Sequence, residues 1–396
     1  MSTVAELYWD PYDGALAQDP YPVFSRLREE MPLYYNEKHD FYALSRFTDC
    51  QRGLADWQTY SSSRGDILEL IKTGFEIPAG TLIFEDPPVH DLHRRLLSRV
   101  FTPRRIAMLE PQARAFCRNA LEPVRDAERF DLVAAVGAEM PMRVIGMLLG
   151  IPEADQAAIR DQTDAALATE DGGQMEHGIL AFDAFKEYIA WRKKNPSDDL
   201  MTELMTAEFE DEKGVTRTLT DDEVLTYCTV VAGAGNETTG RLIGWFGALM
   251  ARYPGQRQEL VADPSLIPNA IEEILRFEPT GPFIARYVAR DVELYGQTVP
   301  EGSAMVFIQA AANRDPRRHD NPDQFDIHRV AQQLSFGVGA HYCLGAALAR
   351  LEGRIAAEEI LKAFPSWDVD WEHAELAQTS TVRGYKTLPL LVSGAA

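Results

Sequence analysis

Ser335-Phe336-Gly337-Val338-Gly339-Ala340-His341-Tyr342-Cys343-Leu344-Gly345 sets a cysteine between closely spaced glycines and the start of a helix. Leu344, Leu348, Leu351 and Ile355 then recur at helical spacing, with Arg350, Glu352, Arg354 and Glu358 on the other side. Cys343 is therefore predicted at a helix N-terminus. Unpaired N–H groups and the dipole favour an anion there, so its sulfur is expected to ionise readily and serve as a thiolate ligand. Gly337, Gly339 and Gly345 remove side chains where a flat ligand would lie against backbone. A haem iron held by a single thiolate fits these needs. A cysteine standing alone in such a turn would more simply be a small buried hydrophobe.

The ordered run F-x-x-G-x-H-x-C-x-G resembles the haem-binding signature of the cytochromes P-450, the haem-thiolate monooxygenases. The resemblance implies haem b as cofactor, Cys343 as the axial ligand of its iron, and Phe336, Gly337 and His341 beside the porphyrin. Gln333 departs from the family, which often has histidine there; this bears on a haem-edge contact, not on the reaction.

Upstream, Thr220-Asp221-Asp222-Glu223 is a capping box, and no proline follows until Pro254. One helix of roughly 33 residues and about 50 Å is predicted. It is buried, because Val224, Leu225, Val230, Val231, Leu242, Ile243, Trp245, Phe246 and Leu249 surround much of it. In its middle lies Ala232-Gly233-Ala234-Gly235-Asn236-Glu237-Thr238-Thr239. Each glycine in a helix interior costs about 1 kcal/mol relative to alanine, so something needs the room, either a close helix crossing or a ligand. The segment resembles the family's A-G-x-[D/E]-T bend where oxygen binds. Glu237 is then the catalytic acid and Thr238 the alcohol, with Ala234 and Gly235 against the haem. Threonine can bond back to a carbonyl and open the helix locally.

Pro268 to Phe277 reads as a short helix stopped by Pro279, with Glu273 and Arg276 on one face. Lying ahead of the cysteine run, it resembles the family's structural Glu-x-x-Arg pair, with Arg329 as third member. Thr280-Gly281-Pro282-Phe283-Ile284-Ala285-Arg286 leads into strand pairs around Gly296 and Gly302. The resemblance puts Arg286 on a haem propionate. It makes Pro282, Phe283 and Ile284 pocket wall, together with Leu82, Val231, Ala234 and Val382 beside the closing turn Arg383-Gly384-Tyr385.

Towards the N-terminus, Phe41–Leu44 reads as a strand and Phe47–Ala55 as a helix. Residues 61–84 have no firm period, yet Leu68, Leu70, Ile71, Phe75, Ile77 and Leu82 make them apolar, which fits either core contact or a lid. Residues 90–105 hold five arginines against one aspartate. A solvated helix face explains such a run; alternatively, D-P-P-x-H-x-x-x-R resembles the segment whose histidine and arginine, here His90 and Arg94, grip a propionate. Residues 116–194 read as helical, with breaks at Gly150-Ile151-Pro152 and Gly172-Gly173.

With 396 residues and 45% hydrophobic content the chain can bury a large core, and with no linker it reads as one domain over 1–396. The resemblance covers about residues 19–390. A net charge of −22 argues against nucleic acid or an anionic membrane as partner. Met1 to Pro20 holds Glu6, Asp10, Asp13 and Asp19 and no apolar run, so a cytoplasmic protein without signal or anchor is expected. Cys50, Cys117, Cys228 and Cys343 lack Cys-x-x-Cys spacing, which excludes a zinc framework.

The resemblance implies a mainly α fold with a small β-rich region (α+β), the haem lying between the long helix and the cysteine loop. The implied reaction inserts one oxygen atom of O2 into a small apolar organic substrate by hydroxylation or dealkylation, in a monomer. The chain has no dinucleotide motif, flavin domain or iron–sulfur cysteine set. Electrons then come from a separate ferredoxin or flavodoxin and its NAD(P)H reductase, docking on arginines among Arg94 to Arg105 with Arg350 or Arg354. A peroxide-driven peroxygenase and a non-catalytic haem-based carrier or sensor are the rival readings.

Overall fold

The computed structural model describes residues 7–74, 77, 80–159, 161, 184–377 and 381–392. At the centre a helix, Asp221–Arg252, runs unbroken for 32 residues. The Thr220 hydroxyl accepts from the Glu223 N–H while the Glu223 carboxylate accepts from the Thr220 N–H, and Asp221, Asp222 and Glu223 suit the positive end of the dipole. Tyr253 and Pro254 end the helix.

Val224, Tyr227, Leu242, Trp245, Phe246 and Leu249 are all buried, so the helix needs cover on several sides. Glu139–Leu149, Ile267–Phe277 and Ala346–Ala363 supply it. Small residues set the crossings. A Cβ on Gly240 would stand 2.6 Å from the Gly137 carbonyl oxygen, and one on Gly235 would stand 2.5 Å from Ile145 Cδ1. Gly235 thus clears a helix crossing, one of the two reasons for a glycine in this helix interior.

Beside this helical body lies a five-stranded sheet in the order Leu33–Asn36, Phe41–Leu44, Ala304–Phe307, Ile284–Val288, Tyr60–Ser61. Only the pairing of Ala304–Phe307 with Phe41–Leu44 is parallel. Alternation along Ala304–Phe307 sends Ala304 and Val306 to Trp9, Phe24 and Phe41 on one face, and Met305 and Phe307 to Phe47, Leu54 and Tyr60 on the other. With both faces covered, every residue of that strand is buried. The chain adopts the mainly α fold with a small β-rich region that its sequence implies.

Two expectations change. Residues 61–84 contain a helix, Leu68–Thr73, and a 3-10 turn, Leu82–Phe84. Leu68 packs in the Trp9 cluster and Leu82 in the main core, so these apolar residues make core contacts; Phe75 lies outside the described residues. A helix of six residues is too short to print a period. The stretch 116–194 also holds a strand, Arg129–Asp131, which pairs with Pro389–Leu391 and is too short to alternate visibly. Gly172-Gly173 lies outside the described residues. Among the described residues no helix is long and apolar enough to cross a membrane.

Candidate active site

The loop before Cys343 is shaped by two glycines. Gly337 and Gly339 take φ of +67° and +71°, values that strain other residues. The Cys343 N–H donates to the Phe336 carbonyl at 2.7 Å and closes the loop. The helix Ala346–Ala363 follows directly, as predicted. Cys343 is exposed whereas Cys50, Cys117 and Cys228 are buried. Together with His341, Arg286, Phe336, Gly337, Phe283 and Ile284 it lines a cavity of about 250 Å³.

The expected ease of ionisation is not found in the protein alone. Although the Cys343 side chain keeps surface open to the cavity, protein encloses it on its other sides; that desolvation pushes the thiol up, and the N–H groups of Gly345 and Ala346 with the charges of Arg94 and Arg350 only partly offset it. The helix terminus acts in the expected direction, but desolvation outweighs it. A metal cation at the sulfur would reverse the balance, since a coordinated thiol is deprotonated.

Four cationic or N–H-bearing groups meet beside this cavity. The His90 and His341 rings lie 4.3 Å apart, and the Nε2 atom of each is buried without a partner. Burial, and then the charges of Arg286, His90 and Arg94, push the His341 imidazole down to about 3. Arg286 is 4% exposed and donates to the Ala285 carbonyl at 2.8 Å. Arg94 donates to the Tyr342 carbonyl next to the cysteine. Two orphaned buried imidazole nitrogens beside two guanidinium groups fit a ligand that carries carboxylates, as haem does, since a carboxylate there would favour the proton that each ring nitrogen needs to donate.

On the long helix, the Thr238 hydroxyl donates to the Ala234 carbonyl at 2.9 Å. The bond back to a carbonyl is present, yet the helix is not interrupted, because a carbonyl oxygen can accept a second hydrogen bond beside the helical one. Ala234 is exposed although its helix is central. The Glu237 carboxylate accepts from Arg241 at 2.8 Å.

Of the expected pocket residues, Phe283 and Ile284 line the cavity, while Leu82 and Val231 lie in the main core and Pro282 and Val382 are buried. Asp66, Ile67, Leu54, Gln309 and Thr381 line it without having been anticipated. No local pattern marks them, since the sheet and the closing turn bring them in from distant sequence. Arg241 was also missed, although its opposite charge four residues after Glu237 is a readable signal.

Behind the cysteine loop, Glu273 takes two hydrogen bonds from Arg276, at 2.7 and 2.8 Å, and one from Arg329 at 3.3 Å. Arg276 also donates to the carbonyls of Asn313 and Pro322. Gln333 accepts from the Ser335 N–H at 2.6 Å and donates to Glu272 at 3.3 Å, so it braces the loop entrance.

A glycine-shaped loop presenting one cysteine to a cavity that Arg286 and His341 also line fits the haem-thiolate class, while Ala234, Glu237 and Thr238 of the long helix are not among the residues lining this cavity. The profile of the family described as Cytochrome P450 matches residues 176–381. The chain is 38% identical over 396 residues to the "Putative cytochrome P450 123" of Mycobacterium tuberculosis, covering 98% of this chain and 97% of that one. It is 33% identical over 385 residues to the "Erythromycin C-12 hydroxylase" of Saccharopolyspora erythraea, covering 93% of each. Among solved structures, CYP109E1 from Bacillus megaterium in complex with testosterone is similar at TM-score 0.86 and 26% identity, over 96% of this chain and 99% of that one. The chain belongs to the cytochrome P450 family and is a haem-dependent monooxygenase, its family binding haem through a cysteine thiolate.

Proposed function

We propose that the protein hydroxylates or dealkylates a small apolar organic substrate, with Cys343 as the iron ligand and electrons supplied by a separate ferredoxin or flavodoxin and its reductase. One observation carries this reading: the single exposed cysteine opens on the same cavity as Arg286 and His341 and the apolar Phe283 and Ile284. Haem bound there supplies the activation of dioxygen, electron donation from the thiolate favouring O–O cleavage.

The residues of the chain do the rest. His90, Arg94, Arg286 and His341 hold the propionates, neutralising charge that burial makes costly. Phe283 and Ile284 keep water from the reacting C–H bond and favour apolar ligands. The Thr238 hydroxyl, resting on the Ala234 carbonyl, and the Glu237 carboxylate pass protons inward from solvent. Glu273, Arg276 and Arg329 fix the backbone behind the cysteine loop. Arg105 pairs with Glu203, Arg350 with Glu272, and Arg354 with Glu110 and Glu358, leaving exposed Arg95, Arg99 and Arg104 to meet an acidic partner.

Cys343→Ala decides the ligand. The reduced, carbon monoxide-treated variant should lose the red-shifted thiolate band that the parent and a Cys228→Ala control retain. Substrate-dependent NAD(P)H consumption with ferredoxin and reductase, measured against peroxide alone, separates the monooxygenase from a peroxygenase. No product under either condition would favour a carrier or sensor. A panel of fatty acids, terpenoids, steroids and aromatics scored by Soret shift narrows the substrate.

A further inference from the structure

We infer that Arg241 is a positioning residue for Glu237, and that the segment Arg383-Gly384-Tyr385, where the strand Tyr385–Thr387 begins, fixes Arg241 in turn; the inference rests on the reading of Glu237 as a proton-delivery acid. The Arg241 guanidinium donates from Nη2 to Glu237 Oε1 at 2.8 Å and from Nη1 to the Tyr385 carbonyl at 2.6 Å. The two side chains are 14% and 9% exposed. The solvent screening that makes a surface pair of this spacing worth little is therefore largely removed.

The far end of the link is itself held. Trp245 Nε1 donates to the Arg383 carbonyl at 3.1 Å, and the Arg383 N–H donates to the Thr280 carbonyl at 2.8 Å. The Arg383 guanidinium pairs with Glu278, which is also buried. Gly384 lacks a side chain because Arg241 crosses it: a Cβ there would stand 2.6 Å from Arg241 Cβ and 2.9 Å from its Cδ. Its φ is not positive, so the backbone alone gives no reason for glycine. Thr381, at the start of the same segment, lines the cavity beside Cys343. The Glu237 carboxylate therefore has one position, set from a second element that also forms cavity wall. A group that must hand a proton inward loses rate steeply when displaced by an ångström.

In the haem-loaded enzyme, Arg241→Gln should lower kcat on the order of tenfold while the substrate dissociation constant read from the Soret shift stays put. Arg241→Lys, which keeps a cation in reach, should recover part of the loss. Gly384→Ala leaves both charges in place but displaces the Arg241 side chain, and should lower kcat in the same way. The double variant Arg241→Gln/Glu237→Gln should be no slower than Glu237→Gln alone, because Arg241 acts through that carboxylate. In the haem-free protein, amide exchange of peptides spanning 383–388 should quicken in Arg241→Gln and not in Glu237→Gln. Parent-like kcat in Arg241→Gln, full addition of the two single effects in the double variant, or unchanged exchange would each overturn the inference. A harmless Glu237→Gln would instead overturn the reading of Glu237 on which it rests.

Discussion

Glu273 and Arg276 meet in a two-pronged ion pair at 2.7 and 2.8 Å with both side chains 0% exposed. Such a pair is weak evidence for net stability, but removing one partner leaves a buried charge and costs about 3–5 kcal/mol. Glu273→Ala should lower the unfolding free energy by that amount and reduce haem content, because Arg276 also ties down the Asn313 and Pro322 carbonyls. Denaturant melts with haem quantitation check this; a parent-like midpoint would show that the triad contributes little.

Thr238→Ala removes a hydroxyl whose resting partner is the Ala234 carbonyl on its own helix, so folding should be nearly unaffected. Oxygen binding and reduction do not need its proton. The variant should consume NAD(P)H at a substantial fraction of the parent rate while product per NAD(P)H drops on the order of tenfold and hydrogen peroxide rises. Parent-like coupling would reassign proton delivery to another residue or to water.

Arg99 and Arg104 are exposed, and neither belongs to the internal ion pairs that hold Arg105, Arg350 and Arg354. Reversing both charges should slow reduction by an acidic ferredoxin on the order of tenfold at low salt, with the gap closing as salt is raised. Stopped-flow reduction across ionic strengths measures it. An unchanged rate and salt slope would move docking to another face.

His319 is buried near Arg276, Arg329 and Arg318, and burial followed by those charges pushes its imidazole down to about 4. An unfolded histidine titrates near 6.5, so between about 6.5 and about 4 the unfolded chain binds a proton that the folded one refuses. Its contribution is complete above that window and is lost as pH falls through it. His319→Gln should therefore lose less stability than the parent between pH 7 and pH 5. Urea unfolding of both proteins at the two pH values tests this, and equal losses would remove His319 from the acid response.

What the sequence determined lies in short-range pattern. The capping box at Thr220, the absence of proline to Pro254 and the glycines before Cys343 are local, so the bounds of the long helix, the tight loop and the start of the helix after it are legible from backbone preferences, while packing stabilises them. The resemblance then supplied His90, Arg94, Arg286 and His341 as a set, and the chain brings the two histidine rings together from residues 251 apart. Tertiary structure decided everything that depends on which side of a residue meets what. Gly235 turned out to clear Ile145, Leu82 to fill core, and three of the cysteine-side arginines to be spent on glutamates of the same chain. It also adds desolvation at Cys343, a property of the whole fold that pushes the thiol up against the helix terminus visible in the sequence until a metal cation meets the sulfur. The Arg241 link to the Tyr385 carbonyl spans 144 residues, and no periodicity along the chain encodes a contact of that range.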